Sequence, residues 1–173
     1  MPQSIFQALV VCLAAVASAT KLPTKNCKDT CKALDSQMPG RVIYPQTSKY
    51  DTALTSYYSE QERVLNPGCI FRPTNTQDVS KFVKLATSHK TQFAIRGGGH
   101  TLFTGAANID NGGITVDMRG MNDVTLSEDH RIARLGGGGI FSDIYPQLVP
   151  HNLTVMGARV PGIGVGGFVT GGK

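Results

Sequence analysis

The sequence predicts an α+β fold, in which a β-α-β unit is followed by a small mixed sheet with flanking helices. Two patterns carry this prediction. Apolar runs flank an amphipathic helical segment between residues 69 and 95, and two strand-like runs flank a polar turn between residues 124 and 135. Most of the 20 glycines follow Arg96, which indicates tight turns and close backbone approaches in that half.

The β-α-β unit begins with a short apolar strand over residues 69–71. Thr74 and Gln77 have the spacing of a capping box at the start of a helix. The apolar face of that helix is predicted to contain Val79, Phe82, Val83 and Ala86. Residues 92–95 form the second strand, so the segment RGGGH follows its carboxyl end, where ligands commonly bind in α/β sheets.

The following segments complete the mixed sheet. Residues 114–118 are predicted to form a strand, and residues 124–127 and 131–135 a hairpin. A helix after the glycine run 136–139 has an apolar stripe, which we interpret as core packing. The stripe consists of Phe141, Ile144, Tyr145 and Leu148. Residues 153–155 are predicted to form a last short strand.

Composition limits the functional classes. A chain of 173 residues with 40% hydrophobic and 17% charged residues is typical of a globular protein of one domain, or of one domain and part of a second. The net charge of +5 and the pI of about 9.1 fit either a basic secreted protein or a protein with an anionic ligand. Nucleic-acid binding is disfavoured because the basic residues are scattered.

The N-terminus predicts secretion. Residues 5–16 are apolar but too few to cross a bilayer, and Ala17-Ser18-Ala19 fits a cleavage site. We therefore expect a signal peptide over residues 1–19, an extension over residues 20–63, a main domain over residues 64–173 and no membrane anchor. Asn152 begins the one N-glycosylation sequon, Asn-Leu-Thr.

Removal of the signal peptide would leave three of the four cysteines: Cys27, Cys31 and Cys69. One disulfide and one free thiol is the simplest arrangement, although the third thiol could pair outside this chain. No histidine lies near them to complete a zinc site, so no metal is expected.

Two glycine motifs imitate nucleotide-binding signatures. Gly162, Gly164 and Gly167 have dinucleotide-fingerprint spacing, but Pro161 precedes them, Gly171-Gly172 interrupts the helix that must follow, and no acidic residue comes later. The segment from Gly167 to Lys173 lacks the Ser or Thr that completes a phosphate-binding P-loop. The amides of residues 97–99 and 162–172 could still approach an anion. From its spacing alone, His100 is either a functional group or a hydrogen-bonded turn residue.

The second half of the chain resembles the flavin domain of the vanillyl-alcohol oxidase and p-cresol methylhydroxylase (PCMH) superfamily. Within it the sequence is most similar to the berberine bridge enzyme-like branch, especially fungal secondary-metabolism oxidases. The resemblance runs from about residue 64 to the end and is carried by three ordered segments: RGGGHTLFTGAANIDNGGITVDM, LGGGGIFSDIYPQL and VPGIGVGGFVTGGK. It implies the N-terminal part of a PCMH-type FAD-binding domain, incomplete because the family continues for several hundred residues.

The resemblance also implies a set of site residues. His100 takes the place of the histidine that bonds covalently to the 8α-methyl group of FAD, which would anchor the flavin and raise its redox potential. Val160 stands where many relatives carry a second cysteine tether, so we expect a single link. Cys31 would pair with Cys69, leaving Cys27 spare. The implied cofactor-binding residues are Arg96, Gly97, Gly98, Gly99, His100, Thr101, Pro161, Gly162, Gly164, Val165, Gly166, Gly167, Thr170, Gly171 and Gly172.

These inferences leave three functional hypotheses. The first is an FAD-dependent oxidoreductase, or a fragment of one, that oxidises a small secondary metabolite with O2 as acceptor; no catalytic residue can be assigned. The second is a secreted remnant without catalysis. The third is a phosphate- or nucleotide-binding module that depends on Lys173.

Overall fold

The computed structural model describes residues 27–110 and 112–171. The expected signal peptide, Gly172 and Lys173 lie outside these residues. The described helices are α1 (Cys27–Gln37), α2 (Ser48–Thr55), α3 (Glu60–Arg63), α4 (Thr76–His89), α5 (Phe141–Leu148) and α6 (Val165–Thr170). The described strands are β1 (Val42–Ile43), β2 (Cys69–Phe71), β3 (Phe93–Arg96), β4 (Ile114–Asp117), β5 (Val124–Leu126) and β6 (Ala133–Leu135). Short 3₁₀ helices occupy Met118–Gly120 and Val149–His151.

A four-stranded mixed sheet has the strand order β1-β2-β4-β3. Strand β1 is antiparallel to β2, whereas β2 and β3 both run parallel to β4. The predicted β-α-β unit is therefore present, with β4 inserted between its two strands. All four residues of β4 are buried, while β3 alternates between exposed and buried positions. This alternation sends neighbouring side chains of β3 to opposite faces of the sheet.

Helix α4 packs on the sheet, but its start and its apolar face differ from the prediction. Asn75 is the N-cap, because its side chain accepts a hydrogen bond from the Asp78 amide at 2.8 Å. The Asp78 carboxylate in turn accepts from the amide and hydroxyl of Thr74. The predicted Thr74–Gln77 capping box is wrong by one residue, because Asn is an equally good cap and an aspartate carboxylate performs the role expected of the glutamine amide. Val83 is 48% exposed.

The main core lies between the sheet, α4 and the N-terminal helix α1. Phe71 and Phe82 stack with ring centroids 5.3 Å apart. Cys31 forms a disulfide with Cys69, as the resemblance implied, and so joins α1 to β2. Residues 27–63 are therefore integrated into the domain core, because α1 packs against the sheet and β1 extends it.

A second core forms under the hairpin of β5 and β6. Phe141, Ile144 and Leu148 of α5 are all buried there, which confirms the predicted apolar stripe. Leu153 and Val155 pack against the same cluster, but residues 153–155 are not a strand. These apolar side chains reach the second core from an irregular segment, so the prediction of a strand is wrong.

Candidate functional site

A cleft of about 730 Å³ opens at the carboxyl end of β3. One wall is the glycine-rich loop that follows β3, and the opposite wall is the segment that leads into α6. We call it the glycine cleft. Its lining residues are Ile95, Gly97, Gly98, Gly99, His100, Thr101, Ala106, Ala107, Met118, Gly137, Ile163, Gly164, Gly166, Gly167, Phe168 and Thr170.

The two walls meet backbone to backbone at Gly98 and Gly164. A Cβ atom on Gly98 would lie 2.5 Å from the Gly164 nitrogen and 2.7 Å from the Gly162 carbonyl oxygen. A Cβ on Gly164 would likewise meet the Gly98 nitrogen. These distances are shorter than any ordinary carbon contact, and both partners are main chain that cannot rotate away. Glycine at these two positions is what allows the cleft to close at its base.

The glycine loop also presents unpaired amides. The N–H groups of residues 98–101 donate no hydrogen bond to any group in the described part of the chain, whereas the Gly99 carbonyl accepts from the Tyr58 amide at 3.1 Å. Backbone amides without a protein partner are costly to bury, so such a row is suited to an electronegative ligand.

His100 is held against this loop by an aromatic neighbour that sequence analysis missed. The Tyr58 ring stacks on the imidazole with centroids 3.9 Å apart and an interplanar angle of 15°. The Nε2 atom of His100 is buried and has no hydrogen-bond partner in the described residues. Nε2 therefore gives no hydrogen bond in support of the turn-residue interpretation, and the functional interpretation of His100 remains a prediction. The two adjacent tyrosines of the segment YYSE show no periodic pattern from which this contact could have been predicted.

Arg96 does not line the cleft. Its side chain is 1% exposed and donates to the Ala53 carbonyl at 2.7 Å and to the Ser56 carbonyl at 2.9 Å. Its guanidinium also lies 3.6 Å from the centre of the Tyr57 ring. Burial, together with the charge of Arg119, lowers the pKa of Arg96 to about 10. Strand alternation explains the difference from the prediction, because Ile95 takes the cleft-facing position of β3.

Of the other implied cofactor residues, most line the cleft and some do not. Residues 97–101 do so, as do Gly164, Gly166, Gly167 and Thr170. Pro161, Gly162, Val165 and Gly171 are not lining residues; Val165 instead belongs to the second core. Gly162 does approach the site, since a Cβ there would lie 3.4 Å from the imidazole carbon Cδ2 of His100.

Sequence analysis missed the apolar part of the lining. Ile95, Met118, Ile163 and Phe168 come from three separate segments and form apolar surface within the cleft. The alternation of β3 could have identified Ile95, but the others depend on tertiary packing. The helix after Gly164 spans only Val165–Thr170 and ends directly before Gly171, where the interruption was expected. No strand precedes it: Gly164 forms only an isolated bridge with Ile140, so the dinucleotide fingerprint is still unmatched.

Asp117 organises a cluster of charges behind the cleft. Its fully buried carboxylate accepts hydrogen bonds from Arg72 and Arg119, including one of 2.6 Å from Arg72 Nη2 and two of 2.8 Å from Arg119. Burial alone would raise the pKa of Asp117. The hydrogen bonds and charge of Arg119, with the charges of Arg72 and Arg96, instead lower that pKa to about 2. The carboxylate is therefore ionised at neutral pH and balances only part of the surrounding positive charge.

The remaining candidate residues lie away from the cleft. Cys27 is a buried thiol, unpaired within the described residues, and burial raises its pKa. Asn152 is exposed, so its sequon is sterically accessible. Val160 is 51% exposed. In the described part of the chain, no helix has the length and apolar character needed to cross a bilayer, and no group of three metal-ligating side chains is found.

Comparison with known proteins identifies the family of the chain. Residues 67–173 match the FAD binding domain family. The chain belongs to this family. Its relatives and structural neighbours place it in the superfamily of FAD-linked oxidoreductases that the three sequence segments resemble, and they confirm the partial PCMH-type fold.

Similar curated proteins are fungal. The chain is 35% identical over 156 residues to the FAD-dependent monooxygenase tpcD of Cochliobolus heterostrophus, covering 85% of this chain and 30% of that protein. It is 37% identical over 145 residues to the FAD-dependent monooxygenase sdcF of Emericella nidulans, with 83% and 30% coverage. The chain thus spans about 30% of the length of these relatives.

Solved structures share the fold. A berberine bridge enzyme-like protein of Physcomitrella patens, in its D396N variant, matches with a TM-score of 0.68 and 27% identity, over 79% of this chain and 29% of that one. The 6-hydroxy-D-nicotine oxidase of Arthrobacter nicotinovorans matches with a TM-score of 0.64 and 31% identity, over 73% and 27% of the two chains.

Proposed function

We propose that the glycine cleft holds FAD, that His100 is the single covalent attachment point, and that the protein to which this domain belongs oxidises a small molecule with O2 as electron acceptor. The observation that carries the proposal is the convergence of three features on one cleft: the Gly98–Gly164 contact, the unpaired amides of residues 98–101 and the stacked imidazole of His100.

The residues present fit the cofactor chemically. The diphosphate of FAD is an anion that needs hydrogen-bond donors, and the amides of residues 98–101 offer them. The isoalloxazine is flat and largely apolar, and Ile95, Met118 and Phe168 offer apolar surface in the same cleft. A volume of about 730 Å³ falls within the usual range for cofactor sites. When bound, the flavin would supply the redox chemistry.

His100 suits the role of tether because a neutral imidazole nitrogen is a nucleophile near neutral pH. The attachment would replace a C–H bond of the 8α-methyl group and the N–H bond of the His100 imidazole with one C–N bond. The two protons and two electrons released would reduce O2 to H2O2. Tyr58 would restrict the imidazole to one ring plane during this step, and Val160 offers no thiol for a second bond.

The class of reaction rests on the relatives. The fungal proteins are called monooxygenases, and the bacterial structural neighbour is called an oxidase. Both reaction classes consume O2, so O2 is the acceptor we propose. The substrate we propose is a small secondary metabolite, in keeping with the fungal relatives.

Incubation with FAD tests the proposal. Purified protein is mixed with excess FAD under air and then precipitated with acid, and flavin absorbance is measured in the redissolved pellet. We expect the wild type to retain yellow colour and His100→Ala to lose it. His151→Ala, which removes an exposed histidine elsewhere, is the control and keeps the colour. A colourless wild type that fails to bind FAD contradicts the whole proposal, whereas colour retained by His100→Ala contradicts the tether.

Secretion is the localisation that we propose. The disulfide between Cys31 and Cys69 supports it, since structural disulfides persist mainly in oxidising compartments. The exposed Asn152 supports glycosylation in the same pathway. Glycosidase treatment of protein recovered from culture medium tests both points: a mobility shift that disappears in Asn152→Gln is expected, and protein found only inside the cell would contradict secretion.

A further inference from the structure

A second cavity, of about 430 Å³, lies behind the glycine cleft and shares no lining residue with it. It is bounded by α2, by the segment after β4 and by the start of α5. We call it the arginine cavity. Its lining residues are Ser48, Lys49, Thr52, Ala53, Ser56, Arg72, Arg119, Asn122, Gly138, Ile140 and Asp143.

The charges around the arginine cavity do not balance. Lys49, Arg72 and Arg119 line it, and the guanidinium of Arg96 lies directly behind, on Ala53 and Ser56. Among the residues that line the cavity or form ion pairs with its arginines, the carboxylates are the buried Asp117 and the exposed Asp143. These groups together with the four cations carry an excess of two positive charges. A recess with low-dielectric walls concentrates such a field and attracts anions.

Hydrogen-bond donors of this cavity remain unused. Arg72 contacts Asp117 through Nε and Nη2, so its Nη1 has no acceptor among the described residues. The Lys49 ammonium and the Asn122 side-chain amide are at exposed positions and also have no partner in the described part of the chain. Three donors of different geometry thus face one cavity, which suits an anion with several oxygens.

We propose that the arginine cavity binds a phosphoryl dianion, either free phosphate or the phosphate group of a small molecule. The excess of two charges matches a dianion, and the cavity is larger than phosphate alone requires. Asp117 fixes the guanidinium planes of Arg72 and Arg119, which leaves Lys49 and Asn122 as the adjustable donors. The Asp143 carboxylate repels the bound anion, which weakens binding and favours exchange of the ligand over permanent binding.

Titration with inorganic phosphate, followed by amide NMR at constant ionic strength, tests the site. We expect saturable shifts at residues 49, 52, 119 and 122. Lys49→Ala weakens binding about thirtyfold and Asp143→Asn strengthens it about thirtyfold, as expected for one unit charge about 4 Å from a dianion in water. Lys84→Ala removes an exposed lysine from α4 and leaves the affinity unchanged. All three variants lie at exposed positions, so the fold is retained.

Three outcomes overturn the proposal. Shifts confined to residues 98–101 would assign the phosphate to the glycine cleft. Equal affinities of Lys49→Ala, Asp143→Asn and Lys84→Ala would mean unspecific attraction by the net charge. Displacement of phosphate by saturating FAD would make the cavity part of the cofactor site. The affinities for glucose 6-phosphate, phosphate and glucose then decide the source of the phosphoryl group. If glucose 6-phosphate binds more tightly than phosphate, the ligand is a phosphorylated small molecule. If the two bind equally, the ligand is free phosphate.

Discussion

The glycine cleft and the arginine cavity lie against the same two segments but are built in opposite ways. Met118 and Gly137 line the cleft, whereas their neighbours Arg119 and Gly138 line the cavity. The cleft depends on glycines, because its two walls can meet only where no Cβ atom lies between them. The cavity depends on long charged side chains that one buried carboxylate holds in place. The first should therefore respond to added volume, and the second to changes in charge.

Removing the central carboxylate should have the largest effect. Asp117→Asn leaves Arg72 and Arg119 without their buried counter-charge, and we expect the free energy of unfolding to fall by about 3 kcal/mol. Urea denaturation measures this loss. Asp129→Asn removes an exposed carboxylate on the β5–β6 turn and should change the free energy of unfolding by less than about 0.5 kcal/mol. Equal stabilities of the two variants would contradict the role of Asp117.

Low pH should destabilise the protein through the same carboxylate, that of Asp117. The pKa of Asp117 is lowered to about 2 in the folded protein, from an ordinary value of 3.8. A group with a lowered folded-state pKa stabilises the fold above its unfolded-state pKa and loses that contribution as pH falls through the folded-state value. Stability should thus decrease by about 2.5 kcal/mol between about pH 5 and pH 1. Denaturation midpoints across this range measure the decrease. Asp117→Asn should show a shallower decrease, and identical profiles would exclude Asp117 as its source.

The cleft should respond instead to a single added carbon. In Gly98→Ala the new Cβ meets the Gly164 nitrogen and the Gly162 oxygen, so the two walls must separate. We expect a loss of about 2 kcal/mol in the free energy of unfolding and less FAD bound. Gly167→Ala is the matched control, because its Cβ would meet nothing within 4 Å and alanine favours the helix α6. A destabilisation by Gly167→Ala as large as that by Gly98→Ala would contradict the backbone contact.

The smallest effect is expected at Tyr58. Tyr58→Leu removes a ring stack worth about 1 kcal/mol, which frees the imidazole of His100 to rotate. Covalent incorporation of FAD should slow about fivefold, as measured by the acid-stable absorbance over time. Tyr58→Phe keeps the ring and should react at the wild-type rate. If the Phe and Leu variants react equally slowly, the hydroxyl and not the stack is responsible.

Local sequence signals predicted which helices and strands form better than they predicted where each one begins. The strand at residues 69–71, the hairpin after residue 124 and the buried stripe of α5 are all present. The start of α4 was wrong by one residue because Asn75 and Asp78 perform the capping roles assigned to Thr74 and Gln77. Such errors arise where several polar residues could each serve the same backbone amides.

Sequence analysis predicted the residues that form one wall of the glycine cleft, but only some of the residues that form the other wall. The glycine loop was identified because its composition is unusual and His100 stands at its end. Arg96 was misassigned, since a basic residue beside a phosphate loop is chemically plausible while strand alternation turns its side chain to Ala53 and Ser56. Tyr58 was missed because it lies 42 positions from His100 in the sequence, and nothing in a single sequence links two such positions.

By itself, the sequence determined the periodic elements, the glycine-rich loop with its histidine and the family resemblance. These follow from local chemistry: side-chain spacing, backbone freedom and motif order. The tertiary structure alone decided that Gly98 meets Gly164, that Tyr58 stacks on His100 and that three arginines surround Asp117. Each of those contacts joins segments far apart in the chain, and their geometry depends on the packing of the sheet between them.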